Sequence, residues 1–147
     1  MTITSTYASL RVFLFKRESV DAFHLRLAID LSTLRCDLHV LDQNHDGFRR
    51  ACSIIRSATP LSNLVLLEQD RRGGSSVQIL KGIRELPELN PLPVVVLGDG
   101  DDPDSEGIAW EAGADAFVPL PTRASDLART GRDIAKFWSD HQLAMTA

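Results

Sequence analysis

Apolar positions along this chain follow two rhythms. Apolar runs mark strands: Leu10 to Phe15 (LRVFLF), Leu64 to Leu67 and Pro93 to Leu97 (PVVVL) read as buried, and Ala114 to Val118 makes a fifth. Cys36 to Leu41 (CDLHVL) alternates apolar and polar instead, which predicts an edge strand with one wet face. Between these runs the period lengthens to that of a helix. Val20, Phe23, Leu27 and Asp30 predict a first helix to about Leu34, with Ser19 as its N-cap. After a turn from Asp42 to Gly47, Phe48 to Arg56 reads as a short second helix, broken by Pro60 within Ser57 to Ser62. Val77, Leu80, Ile83 and Arg84 give a third helix, stopped by Pro87, Asn90 and Pro91. Asp104 to Ala112 gives a fourth, with Asp104 as cap and Gly113 just past its end. The last runs from Ser125 to about Ser139. Its Leu127, Ile134 and Trp138 share one face, and Gly131 and Ala135 predict close approach to the sheet.

Strands and helices alternate through short connections, so the fold class is α/β: a doubly wound, flavodoxin-like (βα)5 domain. The expected strand order of its parallel sheet is 2-1-3-4-5. All 147 residues form a single domain with a core from about 10 to 140 and flexible tails at 1–9 and 141–147. In such sheets the ligand crevice lies at the carboxyl ends of the strands. Four aliphatics from Leu64 run straight into Glu68, Gln69 and Asp70, so Glu68 and Asp70 stand where chemistry would occur.

Composition narrows the partners. A net charge of −4 with scattered basic residues gives no electrostatic reason to expect nucleic acid. No stretch approaches the ~20 apolar residues of a membrane span. MTITSTYASL lacks the basic and apolar regions of a signal peptide, and Cys36 and Cys52 lack metal-site spacing. A reduced, cytoplasmic domain is expected.

From Leu10 to Trp138 the chain resembles the receiver domain of two-component response regulators. The resemblance is carried by LVLLEQDRRGGSSVQILKGIR, PLPVVVLGDGDD, IAWEAGADAFVPLP and a final helix ending in Phe137-Trp138. It implies a signalling domain that accepts a phosphoryl group on an aspartate with magnesium. The positions that do this in the family are changed here. Glu68 replaces the phosphoacceptor aspartate, and Lys16 and Arg17 replace the acidic pair that holds magnesium. Gly98 replaces the hydroxyl residue ending the fourth strand, and Leu120 the lysine after the fifth. Asp70 keeps an oxygen near the site, where the family uses a backbone carbonyl. Magnesium needs oxygen ligands and dehydrates reluctantly, so two cations in place of two carboxylates predict that magnesium binding is lost and that no cofactor is bound. The carboxylate of Glu68 also lies one methylene too far out, and displacements near 1 Å can cost about 100-fold in rate.

The resemblance therefore implies a degenerate receiver without enzymatic activity, working through phosphorylation-independent protein–protein contact. Glu68 is expected to contact Lys16 or Arg17, either as a built-in mimic of the phosphorylated state or as an ordinary ion pair. Phe117 keeps the aromatic that the family couples to the hydroxyl, but Gly98 has no side chain to sense a phosphoryl group. Trp110, Phe117, Arg129, Asp133 and Phe137 are expected on the face formed by the fourth helix, fifth strand and fifth helix, which in receivers is the output and dimer surface. Trp110 folding over its own helix is the plainer alternative. With no output domain expected after residue 140, output would pass through a protein partner or a homodimer. Two other functions remain: a residual phosphoacceptor in a phosphorelay using Glu68 or Asp70, and a small-anion or small-molecule binder at the strand-end crevice.

Three weaker motifs complete the reading. Asp42 to Gly47 (DQNHDG) matches half an EF-hand loop, but Ser53 replaces the bidentate glutamate, so a polar turn is expected. Asp99, Asp101, Asp102 and Asp104 form an acidic run. Arg71 to Ser76, glycine-containing and entering a helix, has the makings of an anion cradle.

Overall fold

The structure is a computed structural model that describes residues 10–17, 22–57, 62–70, 74–120 and 123–146. Strands β1 (Leu10–Lys16), β2 (Asp37–Asp42), β3 (Ser62–Glu68), β4 (Val94–Asp99) and β5 (Ala116–Leu120) form one parallel sheet in the order β2-β1-β3-β4-β5. Between and after them come α1 (Phe23–Leu31), α2 (His45–Ser57), α3 (Gly74–Glu85), α4 (Ser105–Ala112) and α5 (Leu127–Thr146), with a short 3-10 turn at Ala124–Asp126 leading into α5.

Strand alternation divides the core in two, because successive side chains point to opposite faces. Phe13, Phe15, Val65, Leu67, Val94 and Val96 meet α2, α3 and α4 on one face. Leu10, Val12, Leu14, Leu64, Leu66, Val95 and Leu97 meet α1 and α5 on the other. The aliphatic runs of β3 and β4 are unbroken because both faces are covered.

Several sequence expectations need correction. The described part of α1 buries Leu25, Ala28 and Ile29, while Phe23 is 59% exposed. It also stops short of Leu34: the Ser32 hydroxyl donates to the Ile29 carbonyl and accepts from the Leu34 amide. Helix α2 begins at His45, three residues before Phe48, because the Asn44 side chain accepts from the Gly47 amide as a cap. That use of Asn44 makes the EF-hand-like hexapeptide a strand end and a helix start. Helix α5 extends to Thr146, so 141–146 are helical and not a loose tail. Gly131 approaches α1 and not the sheet: a Cβ there would lie 2.2 Å from the Ala28 carbonyl oxygen. Gly113 ends α4 as expected, at φ 108°, whereas Asp104 occupies the cap position without a side-chain cap bond. Ser19, Val20, Arg71 to Gly73, Pro121 and the 1–9 tail lie outside the described residues.

One stabilising hub has no periodic signature. The Arg84 guanidinium donates to the carbonyls of Asn90, Leu92 and Gly113 and to the Asp115 carboxylate. Asp115 also accepts from the Val94 amide, so this one fork joins α3 to the entrances of β4 and β5.

Candidate functional site

The carboxyl ends of β1 and β3 bring Lys16, Arg17, Glu68 and Asp70 together, and each is committed internally. Glu68 is 6% exposed. Its Oε1 accepts from the Arg17 backbone amide at 3.0 Å, and its Oε2 lies 3.6 Å from Arg17 Nε. The second distance is that of an ion pair without a direct hydrogen bond. Of the two cations beside Glu68, Arg17 makes the contact. Lys16 turns away, with its Nζ 2.5 Å from Asp42 Oδ1. Lys16 and Asp42 are directly opposed across the β1–β2 pair, where the ion pair forms.

Asp70 is engaged at the start of α3. Its carboxylate accepts from the Ser75 amide at 2.8 Å and the Ser75 hydroxyl at 2.9 Å, with longer bonds from the Ser76 amide and hydroxyl. Burial pushes this carboxyl up, but the bonds from Ser75 and Ser76 outweigh it and hold the group below the usual carboxylate range. The helix end that had the makings of an anion cradle thus takes the chain's own anion.

Gln43 was missed by sequence reading, where it is one polar turn residue among several. It is 1% exposed. Its backbone amide extends the ladder to the Lys16 carbonyl, and its Nε2 donates to the Glu68 carbonyl and to Ser75 Oγ. It therefore ties the ends of β1, β2 and β3 to α3.

On the β4–β5 side, Gly98 is packed against an aromatic ring. A Cβ at Gly98 would stand 2.4 Å from Gln69 Oε1 and 2.7 Å from Phe117 Cε1. Phe117 belongs to the core beside α4, while Gln69 reaches across to the Ser105 carbonyl. Leu120, opposite Asp99 in the register, packs against the α1–α5 core.

The residues expected on the interaction face do not form one apolar patch. Trp110 is 48% exposed, and its indole N–H donates to Glu106 one turn earlier, so it leans along its own helix with part of the ring in solvent. Phe117 is turned inward. Phe137 is half-buried against the α1–α5 core, its ring stacked on His141. Arg129 and Asp133 are exposed and line a cavity of about 310 Å3 with Asp99, Asp101 and Leu120.

A divalent cation fits this crevice poorly. The positions that the receiver resemblance assigns to its ligands hold an ammonium paired with Asp42 and a guanidinium paired with Glu68, and both Asp70 oxygens already accept from α3.

The comparisons with known proteins agree with the topology. The chain is 29% identical over 111 residues to the two-component response regulator ORR6 of Oryza sativa subsp. japonica, covering 76% of this chain and 65% of that protein. A second rice regulator, ORR1, is 24% identical and matched over about half its length, 52%. A response regulator from Hahella chejuensis superposes with a TM-score of 0.70 at 18% identity, covering 88% of this chain and 95% of that one. A response regulator receiver domain from Rhodospirillum rubrum gives 0.69 at 21%, covering 88% and 93%. The fold is the receiver fold. No family model matches the sequence. By fold and by the names of its relatives the chain is receiver-like. No helix among the described residues is long and apolar enough to cross a membrane.

Proposed function

We propose that this receiver-like chain is a signalling module that acts by docking to another protein, without accepting a phosphoryl group and without magnesium. The observation that carries this reading is the closure of Glu68 by Arg17. A phosphoacceptor must present a free carboxylate oxygen to the incoming phosphorus beside a metal that neutralises the developing charge. Glu68 has one oxygen on the Arg17 amide and the other facing its guanidinium. Asp70, the alternative nucleophile, is held by Ser75 and Ser76. The packing of Phe117 onto Gly98 supports a crevice that stays in one arrangement. Docking then falls to exposed side chains, with Trp110, Arg129 and Asp133 as the contacts that remain available from the face of α4, β5 and α5.

The test is incubation with acetyl phosphate and magnesium followed by intact mass measurement. The expected result is an unchanged mass. A phosphoryl adduct abolished by Glu68→Gln or by Asp70→Asn would overturn the reading in favour of a residual phosphoacceptor.

A further inference from the structure

The outer side of α2 carries a surface of a different kind. His45, Phe48, Arg49, Cys52 and Arg56 lie along one stripe of the helix, and with Leu86 beyond the end of α3 they line an open groove of about 520 Å3. Its floor is apolar. Phe48 lies over Gly82 of α3, where a Cβ would stand 3.2 Å from the ring, and Cys52 is buried beside it. Burial pushes the Cys52 thiol up, which keeps it neutral. The rim is basic. Arg49 is exposed and makes no ion pair among the described residues. Arg56 donates through Nε and Nη2 to Glu88, with Nε at 3.0 Å. The α2 sequence, HDGFRRACSIIRS, holds three arginines against one acid in a chain whose net charge is −4.

We propose that this groove docks an acidic segment of a partner protein that carries an apolar anchor side chain. Charge complementarity selects the acids: a carboxylate can take the free guanidinium of Arg49 and share that of Arg56. The floor selects the anchor, since Phe48, Cys52 and Leu86 offer an apolar side chain a place to leave water. A nucleic acid would use the arginines but leave the apolar floor unfilled. The groove lies on the α2–α3 side of the sheet, so it is separate from the α5 contacts proposed above and does not depend on the state of Glu68.

The test uses a fluorescein-labelled peptide of about twelve residues with leucines at helical spacing and glutamates elsewhere. Binding is read by anisotropy with the full chain at low ionic strength. The expected result is saturable binding that weakens about 10-fold or more in Arg49→Glu and changes less than about 2-fold in Arg132→Glu, which makes the same charge change on α5. The same peptide with serine for leucine should bind about 10-fold more weakly, and one with lysine for glutamate not at all. Absence of binding, equal loss in Arg132→Glu, or undiminished binding of the serine peptide would each overturn the proposal. So would concentration-dependent dimers of the unliganded chain that Arg49→Glu abolishes, because the occupant would then be a second copy presenting its own acidic 99–106 segment.

Discussion

The crevice above β1 and β3 and the loop after β4 are both rich in charge and use it differently. In the crevice, Lys16 faces Asp42, Arg17 faces Glu68, and Asp70 caps α3. In the loop, among the described residues, Asp99 and Asp102 accept from the backbone amides of Asp101 and Asp104, Glu106 meets Trp110, and all five acids remain exposed. An ion pair between strand ends is geometrically closed to a ligand. A carboxylate bonded only to its own turn keeps its outer lone pairs and its field. The lesson is where recognition can occur. At its strand ends this fold sets charge against charge, whereas the acids of the loop stay in solvent.

That contrast predicts a gradient in stability as charges are removed. Arg84→Ala should have the largest effect, with a loss of about 2–3 kcal/mol, because it removes the Arg84 bonds to the Gly113 and Leu92 carbonyls and the cation beside the Asp115 carboxylate. Arg84→Lys should recover only part of this, since an ammonium cannot reproduce the fork. Urea denaturation midpoints at constant slope would measure both.

Asp70→Ala should cost about 1–2 kcal/mol, the usual range for losing a helix cap. Its pH dependence has a definite sign. The folded carboxyl is held below its ordinary value of 3.8, so its contribution is complete above that value and disappears as pH falls through the lowered one. Melting curves of wild type and Asp70→Ala should therefore converge only in strong acid. A gap that persists there unchanged would mean that packing, and not charge, is the source.

Lys16→Ala should cost no more than about 1 kcal/mol and less at high salt, because its partner Asp42 is half exposed. Asp101→Asn, in the loop, should leave the melting temperature within the scatter expected of surface changes, about 0.5 kcal/mol. A loop substitution that destabilised more than Asp70→Ala would break the division between inward and outward charge.

The sequence made the sheet legible because unbroken aliphatic runs with short connections leave few topologies open. The strand ends were only half legible. That Glu68 would meet a basic neighbour followed from its position, but which one did not: Lys16 pairs with Asp42 across β1 and β2, a contact no periodicity displays. Gln43 and Arg84 were invisible for a related reason. A polar side chain becomes structural when carbonyls from distant segments converge on it, and that convergence exists only after folding. Gly131 showed that a small residue marks a close approach without naming what approaches. Here it is the Ala28 carbonyl of α1.

If Arg17 closes the Glu68 carboxylate, as proposed above, the crevice admits neither a metal nor a phosphoryl group. The most direct measurement is a titration of the full chain with magnesium and beryllofluoride, followed through the backbone amide signals of Gly98, Phe117 and Glu68. A closed crevice gives no saturable shift at any of the three. Saturable, magnesium-dependent shifts at Glu68 that propagate to Gly98 and Phe117 would contradict it.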